Sequence, residues 1–235
     1  LYATRYIEVS EAAEGYVERG NLYIDLYELQ KAVEDCKVAI ELDPEAYYAY
    51  NNLGCALLKL RRVEEAVTPL EQAVALDPDK DHLPYLNLAE CYILKKEYDK
   101  AIRAYKEALR IHPNTDRWRE EIAKIYAMKG DYEQAIRIYQ KMIDRLKADM
   151  KQKKLSDKMK FYMSAALTQE NERLYELYGN IAEVYHQAGD EEKAVDYYQM
   201  SIGVKKSYFM KNKSVKACIK AAEFYRDTGN YRYAE

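Results

Sequence analysis

Six times along the chain a small residue is followed twelve positions later by Ala: Gly20/Ala32, Gly54/Ala66, Ala89/Ala101, Ala123/Ala135, Ala182/Ala194 and Ala222/Ala234. Successive second members lie 34, 35, 34, 59 and 40 residues apart. A period of this length marks a chain built from stacked copies of one supersecondary unit, each too small to bury its apolar face alone. The first four copies keep one period, and the last two carry insertions.

The neighbours of each pair explain the spacing. Four places before the small residue stand Tyr16, Tyr50, Tyr85 and Tyr178, and three places after it Tyr23, Leu57, Tyr92, Tyr126, Tyr185 and Tyr225. Offsets of three and four fall on one face of a helix. The small residue between them lets a second helix approach closely, and Ala does the same on that second helix. Cys36, Leu70, Tyr105, Tyr139 and Tyr198 fill the space four residues on. A small residue recurs at Ala39, Ala73 and Ala108, with Met142 and Ser201 later, before Pro44, Pro78 and Pro113 close the unit. Proline does so because it biases the preceding residue away from helix. Arg119, beside Trp118, departs from the aromatic position, and Lys147 and Lys206 stand where Pro is due, so those second helices are expected to run on.

The pattern resembles the tetratricopeptide repeat over residues 13–146 and 175–235. The resemblance implies an all-α, right-handed α-solenoid of antiparallel helix pairs, with five full repeats and a partial sixth. It divides the chain into four regular units (13–46, 47–80, 82–115 and 116–146), a basic helical insertion at 147–174, and an elongated fifth and truncated sixth unit at 175–235. Gly229-Asn230-Tyr231-Arg232-Tyr233-Ala234-Glu235 opens a second helix and stops, which suggests a boundary inside a longer protein.

Composition limits the partners. A formal net charge of −3 gives no broad attraction to nucleic acid or anionic lipid. No run of eighteen apolar residues is present to span a bilayer. The four cysteines, Cys36, Cys55, Cys91 and Cys218, form no Cys-x-x-Cys pair, and Cys36 and Cys218 fall on packing positions. That usage fits a reducing compartment, hence a cytoplasmic location. Lys151, Lys153 and Lys154 lie in a run that also holds Arg145, Lys147, Lys158 and Lys160. Such a patch suits phosphate, nucleic acid or an acidic partner, but no aromatics interleave with the lysines, and a solvated helix end explains them better.

In the family that the repeats resemble, first helices line a concave groove. Asn52, Asn87 and Asn180 recur at one groove offset and resemble the asparagine ladders that hold extended peptides, since a carboxamide pairs with both N–H and C=O. Tyr48, Asn51, Leu58, Leu83, Leu86, Ile93 and Leu94 would make an apolar, uncharged wall. Glu14, Glu18 and Asp25 flank it on one side and Arg117, Glu120, Glu121 and Lys124 on the other. The expected peptide-binding set is Asn21, Tyr48, Asn51, Asn52, Leu83, Leu86, Asn87, Glu90, Lys124, Asn180 and Glu183. Co-chaperones that clamp a terminal carboxylate place cations at positions matching Val17, Leu83 and Asn87, with asparagines at those matching Asn21 and Asn52; without the cations the carboxylate has no counter-charge.

His82, His112 and His186 have no partners at metal-ligand spacing, and no nucleophile motif or phosphate-binding Gly loop occurs. The preferred reading is a protein- or peptide-binding scaffold with neither catalysis, metal nor cofactor. The alternatives are a regulatory sensor domain of a larger enzyme or transcription regulator, and a nucleic-acid or acidic-partner binder acting through the basic insertion. The sequence is silent on oligomeric state.

Overall fold

The structure is a computed structural model that describes the backbone of residues 2–154 and 163–206 and the side chains of residues 11–151 and 169–204. The sixth copy of the motif, Cys218, and the Lys153 and Lys154 side chains lie outside the described residues. Within them the chain is all helix: α1 (Tyr2–Asp25), α2 (Leu29–Leu42), α3 (Tyr47–Lys59), α4 (Val63–Leu76), α5 (Leu83–Leu94), α6 (Tyr98–Ile111), α7 (Asp116–Met128), α8 (Tyr132–Lys154), α9 (Met163–Gln187) and α10 (Glu191–Lys206). Odd-numbered helices are the first helices of the repeats and even-numbered ones the second.

Two compact units result, Leu1–Ile125 and Tyr126–Glu235. In the first, α1 packs on α2, α3 on α4 and α5 on α6; α2 and α4 also touch the next first helix, and α1, α3 and α5 touch in succession. In the second unit α9 packs on both α8 and α10.

The small residues do what their spacing requires. A Cβ added at Gly54 would lie 2.4 Å from Leu70 Cγ, and one at Gly20 would lie 3.0 Å from Cys36 Sγ. Ala32, Ala66, Ala89, Ala101, Ala123, Ala135, Ala182 and Ala194 are all 0 % exposed. Any longer side chain there would hold the paired helices apart.

The turn within each repeat is equally regular. Tyr27, Arg61, Lys96, Gly130 and Gly189 occupy equivalent places and all have positive φ, from 59° to 84°. The next residue's N–H closes the helix end: Glu28, Arg62, Glu97, Asp131 and Asp190 donate to the carbonyls of Tyr23, Leu57, Tyr92, Tyr126 and Tyr185 at 2.8–2.9 Å. Glycine adopts this left-handed turn freely, whereas Tyr27, Arg61 and Lys96 hold it against a steric cost.

Prolines set the helix ends. Asp43 and Asp77, which precede Pro44 and Pro78, are extended (φ −134°, ψ 98° and φ −153°, ψ 94°). Their carboxylates accept from the N–H groups of Glu45 and Asp79 at 3.0 and 3.2 Å, making the turn that follows. With Lys147 in the place of Pro, α8 continues to Lys154 and reaches 23 residues, against 14 in α2, α4 and α6. One proline breaks the rule: Pro69 is buried inside α4. It has no N–H to return to the preceding turn.

Stacking uses three further positions on each first helix. Ala49, Leu53 and Ala56 fill them on α3, Pro84, Leu88 and Cys91 on α5, Trp118, Ile122 and Ile125 on α7, and Leu177, Ile181 and Val184 on α9, all buried. On α1 the same places hold Gly15, Arg19 and Leu22, and Leu22 is 53 % exposed. Arg19 turns back onto its own repeat, forking onto Asp35 with Nε–Oδ2 2.6 Å and Nη2–Oδ1 2.8 Å. The ion pair gives this face of α1 a polar element where the later repeats carry an aliphatic residue.

Candidate functional site

In the Leu1–Ile125 unit the side-by-side first helices α1, α3 and α5 present one continuous face. Residues six and two places before each small residue, and one place after it, project from the helix surface not used for pairing. The expected binding residues separate into three groups here.

The first group is exposed. Tyr48 lies in the first turn of α3 and Leu83 opens α5, 50 % and 45 % exposed, and Leu94 closes α5 at 44 %. Asn21 on α1, Glu90 on α5 and Lys124 on α7 are also exposed, although Lys124 is committed to Glu121, Nζ–Oε1 2.8 Å. Leu86, Asn87 and Ile93 are half-buried beside them. Leu86 additionally packs against the cluster of Tyr85, Ala108 and Trp118.

The second group points inward. Asn51 and Asn52 are 7 % and 8 % exposed, and Leu58 is 5 % exposed. The carboxamides bond one another: Asn87 Nδ2 donates to Asn51 Oδ1 at 3.3 Å, and Asn51 Nδ2 donates to Asn52 Oδ1 at 3.4 Å. The asparagines therefore link α5 to α3. Burial favours this arrangement, because an amide removed from water must find a partner. Leu58 belongs to the packed interior, so the exposed wall consists of Tyr48, Leu83 and Leu94 with the half-buried Leu86 and Ile93.

The third group lies in the other unit. Asn180 is half-buried and Glu183 exposed on α9. The Glu183 carboxylate accepts from the Tyr198 hydroxyl at 3.1 Å and from Gln187 Nε2 at 3.4 Å. Of the basic run, Lys151 is exposed, and Lys147 Nζ sits 5.4 Å from the centre of the Tyr178 ring.

Two contributors to the face carry no repeat signal. Cys55, half-buried, occupies the place on α3 that Glu90 holds on α5. Lys80 reaches from the α4–α5 turn to 4.9 Å and 4.7 Å from the ring centres of Tyr47 and Tyr48. Nothing in the sequence marks that contact, since it depends on the path of one turn.

The remaining reactive groups have structural surroundings. Burial pushes the Cys36 thiol up to about 12 and Cys91 up to about 11. Burial also raises Cys55, with Lys59 opposing it. His82, at the start of α5, lies 4.7 Å from the His112 ring and 4.9 Å from Trp118, centre to centre. Its Nδ1 is 2.9 Å from Asp81 Oδ1, but outside hydrogen-bonding geometry. His186 Nδ1 lies 3.0 Å from Glu191. No group of three or more His, Cys, Asp or Glu is placed to hold a metal among the described residues. No helix among them is long and apolar enough to cross a membrane.

Three family models, each described as tetratricopeptide repeat, match residues 82–148, 36–68, and both 13–45 and 175–208. The DnaJ homolog subfamily C member 7 homolog of Dictyostelium discoideum is 29 % identical over 104 residues, 43 % of this chain and 19 % of that protein. The Hsp70-Hsp90 organizing protein 3 of Arabidopsis thaliana is 28 % identical over 112 residues, 48 % of this chain and 20 % of that protein. The matched segment is thus about a fifth of the length of these curated relatives. Among solved structures, the MamA protein aligns with a TM-score of 0.64 at 18 % identity, covering 86 % of this chain and 98 % of that one. YrrB, described as a TPR protein with an unusual peptide-binding site, aligns with a TM-score of 0.61 at 18 % identity, covering 88 % of this chain and 94 % of that one. Identities this low speak for the fold alone. The small-residue pairs, left-handed turns and matching models lead to one assignment: the chain is an all-α solenoid protein of the tetratricopeptide repeat family.

Proposed function

We propose that this chain is a protein-binding adaptor that holds an extended partner segment along α1, α3 and α5. The observation that carries the reading is the set of exposed apolar side chains on adjoining first helices, Tyr48 in the first turn of α3 and Leu83 and Leu94 at the two ends of α5, with the half-buried Leu86 and Asn87 between them. The repeat's own packing leaves these groups exposed, and large apolar side chains aligned on one helix face support an interaction site. Relatives named for a DnaJ homolog and for organizing Hsp70 and Hsp90 support an adaptor role in general terms. They do not carry over a carboxylate clamp, because Val17 and Leu83 stand at matching cation positions and Asn52 is buried.

The test is an affinity capture from lysate with the wild-type chain beside a Leu83→Glu/Leu94→Glu variant and an Asn87→Ala variant, with circular dichroism confirming unchanged helicity. A partner retained by wild type and lost by the charged variant supports the face. Equal capture by all three moves the binding surface elsewhere.

A further inference from the structure

The chemistry of the bound segment can be read from how the unit spends its charges. On second helices and turns, carboxylates pair with the chain's own cations: Glu65 with Arg62, Glu64 with Lys95, Glu97 with Lys100, and both Asp79 and Glu107 with Arg110, at 2.5–2.8 Å. On the first-helix face, Glu14, Glu18 and Asp25 of α1 and Glu90 of α5 are exposed and form no ion pair among the described residues. Lys59 of α3, Lys80 of the α4–α5 turn and Arg117 of α7 are exposed cations that likewise form no ion pair among the described residues.

The second observation is the Lys80 contact. Tyr47 and Tyr48 meet edge to face, with ring centres 5.1 Å apart at 87°, and the Lys80 ammonium lies within 5 Å of both centres. Tyr47 is 5 % exposed and its hydroxyl is buried without a hydrogen-bond partner. Tyr48, by contrast, remains half-exposed at the rim of the apolar wall. Two aromatic faces that meet at a cation form a site selective for ammonium or guanidinium groups.

We infer that the Tyr47–Tyr48 corner is a subsite for an arginine or lysine side chain of the bound segment, with Lys80 as its tethered stand-in, so that the partner segment is cationic and aliphatic. This rests on the proposed use of the α1–α3–α5 face. The aliphatic residues meet Leu83, Leu86 and Leu94, and the basic flank meets Glu14, Glu18 and Asp25. A free lysine on the α4–α5 turn competes with the ligand's cation at high effective concentration. Removing it strengthens binding, whereas removing the ring that receives it weakens binding.

The experiment is selection of a random dodecapeptide phage library on the 235-residue chain. Fluorescence anisotropy of one selected peptide then follows on wild type, Tyr48→Ala, Lys80→Ala and Leu83→Glu/Leu94→Glu. The expected peptides carry net positive charge with Leu, Ile or Met. Tyr48→Ala weakens binding by about 3- to 10-fold, the range of one cation–π contact, and Lys80→Ala tightens it by about 3-fold. Higher salt reduces the preference for basic over neutral peptides. Acidic or neutral peptides whose binding drops in Leu83→Glu/Leu94→Glu overturn this inference and leave the binding face standing. Basic peptides indifferent to both Tyr48→Ala and Lys80→Ala overturn the subsite. No enriched peptide at all overturns the face itself.

Discussion

The Leu1–Ile125 and Tyr126–Glu235 units share one local grammar and differ in length. Both have alanines of 0 % exposure at the helix crossings and a left-handed residue at the same place in each turn. Yet among second helices α2, α4 and α6 have 14 residues each, whereas α8 has 23; the long first helices α1 and α9, with 24 and 25 residues, fall one in each unit. The small residues decide how two helices pair, and the prolines decide where a repeat ends. These are separable instructions: losing the second at Lys147 lengthens a helix without disturbing Ala135 or Tyr139, which remain 0 % and 2 % exposed.

The largest expected effect comes from restoring the missing instruction. Lys147→Pro should cost about 3 kcal/mol of stability, because proline inside a helix removes a hydrogen bond and clashes with the preceding turn. It should also reduce the helical circular dichroism signal of the 147–154 segment. A urea melt that coincides with wild type would mean that proline is not what separates the two helix lengths.

Next comes a single change with opposite signs in the two units. Gly54→Ala places a methyl group 2.4 Å from Leu70 Cγ and should destabilise by about 2 kcal/mol through overpacking. Gly179→Ala meets nothing nearer than Ser201 Oγ at 4.0 Å and should stabilise by about 0.5–1 kcal/mol through helix propensity. Two shifts of the same sign in thermal denaturation would refute the idea that close approach, rather than flexibility, placed Gly54.

The smallest effects concern the turns. Gly189→Ala, at φ 77°, should cost about 1 kcal/mol. Tyr27→Gly, at φ 61° and with the side chain 70 % exposed, should gain about 0.5 kcal/mol after the entropy of the freer unfolded chain is subtracted. Denaturant midpoints of the two variants measure both.

The fold was legible because its determinants are local and repeated. Gly54, Ala66, Leu70 and Pro78 each answer to a fixed spacing, and the Lys147 departure correctly foretold a second helix that runs on. The candidate face was legible only as a set of offsets. The offset of Asn52 says that it projects from α3, not that Asn87 reaches from α5 to Asn51 on α3 and links the pair to it. Leu58 was misplaced for the same reason: helical periodicity names a side of a helix, and only the neighbouring helix decides how much of that side stays wet. Lys80 was invisible because a turn carries no period.

If the proposed face holds an extended segment, the bond between Asn87 and Asn51 would make it a gauge of backbone spacing. A segment that takes the Asn87 amide must replace the bond this amide already donates, and exchanging one hydrogen bond for another contributes almost nothing to affinity. A segment whose polar groups fall out of step instead strands Asn51 Oδ1 in a nearly closed site, at about 1–3 kcal/mol. On the proposed reading, tightness would reside in the aliphatic wall, and the carboxamides would disfavour any strand that forces the Asn87–Asn51 bond open without replacing it.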